Sequence, residues 1–229
     1  MKELIIIVPS RGRPHLMDRL LESWKRTTQG RSRIVMVLDE DDHHYYNEVY
    51  EKYVKEPGVG LAIVFGQRQL LTSKLNSFSK DWERGGAIGV GFMGDDCVFM
   101  TPGWELPIID WLEKNEGICY GNDLLQGENL PNNVFIHVNI IKSLGFMAPP
   151  ELKHYYIDNY WKDLGLRLRK IHYFNEIIIE HRHWSNGKEA KDAIYTEAEK
   201  LMGEDKITWD KYRITKLAED VNKILNIKN

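Results

Sequence analysis

An α/β fold with a mainly parallel sheet flanked by helices, closing in further C-terminal helices, is what this sequence predicts. Three observations carry the expectation. Short β-branched runs alternate with stretches of helical period; the runs are continuously apolar, as in strands covered on both faces; and three of the four early runs end in a polar cluster.

Leu4 to Val8 is the first run, and Pro9-Ser10-Arg11-Gly12-Arg13-Pro14 follows as a tight loop in which Gly marks the turn and Pro suits a first helical position. Leu16, Leu20 and Trp24, widened by Met17 and Leu21, then recur at helical spacing. A second run, Ile34 to Leu38, stops at Asp39-Glu40-Asp41-Asp42. A third, Leu61 to Phe65, stops at Gly66, and Leu71, Leu75, Phe78 and Trp82 mark one face of a helix behind it. A fourth strand, Ala87 to Met93, enters Gly94-Asp95-Asp96 and resumes as Cys97 to Met100.

The second half reads as short strands around Ile118 to Tyr120, Val134 to Val138 and Ile171 to Ile179. Gly121 to Asn133, rich in Gly, Asn and polar residues, is expected to be a mobile loop over a site. From Gly187 onward the chain is charged and helix-prone. Ile194, Ala198 and Leu201 share one face, and Ile214, Leu217, Val221 and Ile224 repeat the pattern, so a C-terminal helical pair is expected.

Composition narrows the function classes. With 31 Lys and Arg against 34 Asp and Glu, the net charge is −3, which leaves no global basic field to hold nucleic acid. Cys97 and Cys119 are the two cysteines, both in apolar stretches, so a disulfide framework is not expected and a reducing cytoplasm fits. The apolar N-terminal run is too short for a signal segment or a membrane span, and a soluble protein with no membrane partner is expected.

In open α/β sheets, ligands gather beyond the carboxyl ends of the strands, where Ser10 to Arg13, Asp39 to Asp42 and Gly94 to Asp96 all fall. Two adjacent carboxylates at a strand end suit a hard cation bound to a diphosphate: one holds the metal while the other faces a ribose. Gly-Asp-Asp is also an ordinary turn sequence. His181-Arg182-His183 follows an apolar run, so its two imidazoles can converge and complete a metal shell, or they can be partly exposed residues of an edge strand. In His154-Tyr155-Tyr156-Ile157-Asp158-Asn159-Tyr160-Trp161 a carboxylate stands among aromatic rings. Desolvation there would raise its pKa and suit it to accept a proton; the alternative is a helix-capping Asp158. Arg11, Arg13, Arg68 and Lys74 are candidate phosphate contacts, and solvated surface cations in the plainer reading. Asp39 can accept from a base or ribose or serve as a turn residue, while Asn76 can be simply a polar-face residue.

Taken in order, these segments resemble the family 2-like GT-A glycosyltransferases. Ile5-Ile6-Ile7-Val8-Pro9-Ser10-Arg11-Gly12-Arg13 looks like the family's opening strand and nucleotide loop, and Phe92-Met93-Gly94-Asp95-Asp96 looks like its Asp-x-Asp metal motif. Pro102-Gly103-Trp104 is similar to small bacterial and phage-encoded members, and Glu180-His181-Arg182-His183, with Ser185 to Lys188 and Asp192 after it, looks like the late metal-binding histidine region. The resemblance spans residues 4 to 192.

The resemblance implies a GT-A catalytic domain over 1–185, with a nucleotide-sugar-binding half over 1–100 and an acceptor half over 101–185. A helical extension over 186–229 would pack on the same domain. It implies that a UDP- or GDP-linked sugar meets Pro9, Ser10, Arg11, Arg13, Asp39, Arg68, Lys74, Asn76 and Asp95. Mn²⁺ or Mg²⁺ would sit on Asp96 with His181 or His183, and Asp158 would activate the acceptor. In the family the residue before that base is acidic, whereas here it is Ile157. The acceptor would be a saccharide, or a modified nucleobase in DNA if the chain is phage-encoded, when host cytoplasm would be its location; lipid-linked glycans stay open. Two other readings stand beside it. A nucleotidyltransferase would release pyrophosphate from a nucleoside triphosphate, but no long Gly-rich phosphate loop stands near the start. A non-catalytic nucleotide-sugar-binding module would keep the fold without turnover.

Overall fold

Glu3–Pro9 forms strand β1, and its alternating side chains feed two cores at once. Leu4, Ile6 and Val8 enter one cluster with Met17, Leu20 and Trp24, while Ile5 and Ile7 enter the other with Leu75, Ile140 and Trp161. A strand buried on both faces has no need of polar alternation, which is why the run reads as continuous β-branched sequence. The computed structural model describes residues 2–54, 60–79 and 86–226; Trp82 of the expected helix face lies outside them.

Among the described residues, eight strands form one sheet in the order β3-β2-β1-β4-β7-β6-β8-β5. β2 is Ser32–Asp39, β3 Leu61–Gly66, β4 Ala87–Phe92 and β5 Cys97–Phe99; β6 is Ile118–Asn122, β7 Val134–His137 and β8 Ile171–His181. The β3-β2-β1-β4 half is parallel. Beyond it the sheet is mixed: β6 and β8 are parallel, but β7 runs antiparallel to both β4 and β6, and β5 antiparallel to β8. Gly91 permits the β4–β7 contact, because a Cβ there would meet the Phe135 ring at 2.8 Å. Residues 97–99 do not resume β4; they cross to the far edge and pair with β8.

Helices α1 (Pro14–Thr27), α2 (Asn47–Val54) and α3 (Leu71–Phe78) follow the first three strands. Pro stands in the first turn of α1 as its sequence implied. Helices α4 (Glu105–Asn115), α5 (Val138–Leu144) and α6 (Ile157–Leu168) serve the second half. Val138 begins α5 rather than ending β7, because the His137 imidazole accepts the Asn139 N–H and caps a helix there.

The loop expected to be mobile is instead tied down. Buried Asp123 accepts the backbone N–H groups of Leu125, Gln126 and Gly127 on Oδ1 and the Asn132 amide on Oδ2. Asn133 bridges Gly121 and Ile179.

Among the described residues three C-terminal helices replace the expected pair: α7 (Ala193–Glu199), α8 (Met202–Thr215) and α9 (Leu217–Asn226). α7 falls on the expected Ile194 face and α9 on the expected Leu217 face, so α8 is the extra one; Asp192 caps α7 by accepting the N–H groups of Ile194 and Tyr195. Ile214 is 83% exposed, contrary to its expected place on an apolar face. Aromatic packing sets the orientation of α8 instead: Trp209 and Tyr212 stand edge-on to Tyr160 of α6, and Tyr160 and Tyr212 share hydrogen bonds to buried Asp220. Both cysteines are free and buried. Among the described residues no helix is long and apolar enough to cross a membrane.

Candidate active site

A cleft of about 520 Å³ opens at the carboxyl ends of β1, β2 and β4. Its floor is the loop after β1. Ser10 Oγ donates to Asp95 Oδ2 at 2.6 Å and pairs with the Tyr46 hydroxyl at 2.7 Å. Arg13 Nη1 donates to Asp95 Oδ1 at 3.2 Å, and the Arg13 N–H donates to the Tyr46 hydroxyl oxygen. Asp95 thus joins the first loop to the loop after β4. Burial, and after it the neighbouring Asp96 charge, pushes the Asp95 carboxyl up to about 7, against the pull of Arg13 and Ser10.

The acidic run after β2 buttresses the same loop. Asp42 accepts the Gly12 N–H, Asp41 takes a forked pair of bonds from Arg11, and Asp39 Oδ2 takes a further Arg11 hydrogen bond at 3.0 Å. Lys74 Nζ lies 2.5 Å from Asp39 Oδ1, so both oxygens of this buried carboxylate face cations. Asp39 thereby anchors both Arg11 and the buried Lys74.

Asp96 turns the other way, and Gly94 makes the fold-back possible: a Cβ there would lie 2.5 Å from Asp96 Oδ1. The antiparallel register of β5 on β8 sets Cys97 opposite His181, which brings His181 Nε2 to 3.3 Å from Asp96 Oδ2. Burial works against charge on both groups. The pair overcomes it, so Asp96 is held below the ordinary carboxylate range by His181, Tyr195 and Arg13, while His181 is raised by Asp96. His183 lies past the end of β8 with its ring 5.2 Å from that of His181, and its Nδ1 is engaged by Ser185 Oγ. Burial and the His181 charge lower its pKa.

Asp158 sits in the first turn of α6 and lines the cleft beside Tyr155, Tyr156 and Trp161. One of its oxygens accepts the Asn159 N–H at 2.9 Å. Burial pushes its carboxyl up, with that N–H bond opposing. Tyr156 before it adopts a left-handed backbone, φ 65°, which turns the chain into the helix.

Pro9, Ser10, Arg11, Arg13, Asp39, Arg68, Lys74, Asp95, Asp96, Asp158, His181 and His183 all line this one cleft. Asn76 does not. Its side-chain oxygen accepts the N–H groups of Met147 and Ala148, and its Nδ2 donates to the Ala148 carbonyl. Its amide is committed to clamping that loop, which corrects its expected place against the donor.

Three further residues matter that no sequence pattern announced. Tyr46 bridges Ser10 and Arg13 from the turn after β2. Tyr195 donates its hydroxyl hydrogen to Asp96 Oδ2 at 2.6 Å. Asp205, fully buried on α8, accepts the N–H groups of Lys153, His154 and Tyr155 at 2.9, 2.8 and 2.8 Å and shapes the loop that leads to Asp158. None of them sits in a local motif, because each acts across the chain.

The residues present fit a hard divalent cation. Such ions take one or two protein ligands and fill the rest of their shell with phosphate oxygens and water. Asp96 offers carboxylate oxygen beside the His181 imidazole, whose buried Nδ1 has no hydrogen-bond partner. Among the described residues, however, no group of three or more His, Cys, Asp or Glu side chains is arranged to hold a metal.

No protein-family model and no curated protein matches this chain. Solved structures do. The chain is similar to S. aureus TarS 1-349, at 15% identity and a TM-score of 0.59, over 77% of this chain and 59% of that one. It is similar to the mannosyltransferase PcManGT from Pyrobaculum calidifontis in complex with GDP-Man and Mn²⁺, at 11% identity and 0.59, over 98% and 73%. GalNAc-T7 with UDP, GalNAc and Mn²⁺ matches at 11% and 0.62, over 79% and 44%. The chain spans about three fifths of TarS 1-349 and less than half of GalNAc-T7. At these identities the likeness establishes the fold: a single α/β domain with a curled mixed sheet flanked by helices, shared with structures solved around UDP and GDP-linked sugars.

Proposed function

We propose that this chain is a metal-dependent glycosyltransferase of the GT-A type, similar to family 2, moving a sugar from a UDP- or GDP-linked donor to a hydroxyl acceptor. One observation carries the reading. Carboxylate, imidazole and guanidinium groups from Ser10–Arg13, Asp95–Asp96, Asp158 and His181 converge on one cleft, in a fold shared with structures solved in complex with UDP-GlcNAc and GDP-Man.

The cations supply the donor's anion seats. Arg13, Arg11, Arg68 and Lys74 offer forked and point-charge contacts suited to a diphosphate, with Arg13 nearest the carboxylate pair. Asp95, fastened to Ser10 and Arg13, holds the loop that carries those contacts and faces the ribose. Asp96 and His181, with His183 close by, would hold Mn²⁺ or Mg²⁺, which when bound neutralises charge on the departing diphosphate. In an inverting transfer Asp158 takes the proton of the acceptor hydroxyl as its oxygen attacks the anomeric carbon and the carbon–phosphate oxygen bond breaks, releasing nucleoside diphosphate. In a retaining transfer the same carboxylate orients the acceptor. Tyr155 and Tyr156 supply ring faces for a sugar, backed by the buried Trp161.

The acceptor is a saccharide, or a modified nucleobase in DNA for a phage-encoded chain. The net charge of −3 favours the saccharide. The two buried free thiols fit a cytoplasmic setting. In this reading 1–100 carries the donor half, 101–185 the acceptor half, and 186–229 the helical extension.

The test is a panel of UDP- and GDP-linked sugars with Mn²⁺ or Mg²⁺, first by thermal shift and then by nucleoside diphosphate release. Stabilisation by one donor, with slow hydrolysis lost on chelation and in Asp96→Ala, is the expected result. Pyrophosphate release from a nucleoside triphosphate in its place would overturn the proposal.

A further inference from the structure

Helix α7 has no buried residue of its own, yet Ile194, Ala198 and Leu201 on and after it line the cleft. A helix built permanently into a core buries an apolar stripe. What fastens α7 is polar, and its fasteners are the charged groups of the cleft. The Asp192 carboxylate takes two bonds from Arg13, Nε to Oδ2 and Nη2 to Oδ1, each 2.7 Å. Glu197 pairs with Arg68. Tyr195 donates to Asp96 Oδ2 at 2.6 Å, and the Arg13 guanidinium lies 4.0 Å from the centre of its ring.

Asp192 therefore holds Arg13 in the fork geometry that phosphate oxygens use, and Glu197 holds Arg68 through a single Nη2 contact. A hydroxyl covers the Asp96 oxygen that faces His181. These are the positions at which the proposed donor would bind.

We propose that α7 is an internal competitor of the donor: Asp192 and Glu197 stand in for its phosphate oxygens on Arg13 and Arg68, and Tyr195 shields Asp96, so that α7 must leave before a nucleoside diphosphate can bind. The inference rests on the donor reading of the cleft and adds regulation of access to it. With α7 seated, the arginines stay charge-paired and Asp96 stays hydrogen-bonded, which keeps an empty cleft from collapsing around unpaired charge. Donor affinity is then reduced by the fraction of molecules in which α7 is open.

The test is the full chain carrying Asp192→Asn, Tyr195→Phe and Glu197→Gln together. Each change keeps the shape of the side chain, and Asn retains the helix cap that Asp192 makes with Ile194 and Tyr195. Wild type and triple variant are titrated by calorimetry with UDP and with GDP, each with Mn²⁺, and with inorganic pyrophosphate. Tryptic cleavage at Lys191 and Lys200 is timed with and without the same compounds. The expected result is binding about tenfold tighter in the variant, as when a competing closed state is emptied, with faster cleavage in the variant and in liganded wild type. Equal or weaker binding by the variant overturns the competitor while the donor reading stands, since both proteins still bind. Failure of both proteins to bind UDP or GDP overturns the donor reading, and the competitor with it.

Discussion

His181 Nε2 stands 3.3 Å from Asp96 Oδ2, joining the end of β8 to the turn that follows β4. Asp96 and His181 should therefore act as a unit in nucleotide binding. Asp96→Ala is expected to lower donor turnover by about a hundredfold or more, the usual loss when a charge-stabilising group is removed from a reaction site. In a double-mutant cycle with His181→Ala, the two losses should be far from additive. Additive losses in Mn²⁺-dependent UDP or GDP affinity would mean that the two side chains serve separate purposes.

The raised carboxyl of Asp158 sets the sign of two pH effects. As a base it works only when ionised, so kcat/KM should climb with pH along a limb lying above the ordinary carboxylate range, and Asp158→Asn should lose that limb along with most activity. For stability the fold favours the protonated form. The contribution of the group is full below its unfolded pKa and lost as pH rises through the folded value. Asp158→Asn should accordingly melt above wild type at neutral pH, with the gap closing toward acid. A variant less stable than wild type at pH 7 would contradict this.

Asp205 has no contact with substrate in the proposed mechanism, but it holds three N–H groups of the loop before α6. Asp205→Ala leaves those donors without their partner and should cost about 2 kcal/mol or more in urea unfolding. It should also reduce kcat at temperatures where the variant is fully folded, because Asp158 follows that loop. A variant with wild-type kcat would separate the loop from catalysis.

Asn76→Ala discriminates between clamp and donor contact. With its amide bound to Met147 and Ala148, the change should cost roughly 1–3 kcal/mol of stability. UDP and GDP affinity should stay within about twofold. A folded variant with tenfold weaker nucleotide binding would return Asn76 to the donor site.

Much of the N-terminal half of the fold is written locally. Continuous apolar runs such as Leu4–Val8 and Ile34–Leu38 mark strands covered on both faces, Pro14 marks a helix start, and polar clusters follow the runs, because each signal concerns neighbours in the chain. The second half is less legible. Val138 reads as the end of a strand until the His137 side chain caps a helix, and residues 97–99 read as a continuation of β4 until β8 is present to pair with them. Ile214 fits a helical stripe but faces solvent, because α8 turns Trp209 and Tyr212 toward Tyr160 instead.

The candidate site divides along the same line. By itself the sequence determined an α/β chain with carboxylates at strand ends and a late pair of histidines, since residue type and short-range period suffice for that. Only the tertiary structure decided that Asp96 faces His181 while Asp95 faces Ser10 and Arg13, that Asn76 clamps a loop, and that Tyr195, Asp192 and Glu197 cover the cleft. The reason is physical: where a side chain points depends on strand register and on charges brought together from distant segments, and neither is encoded within any one stretch of the chain.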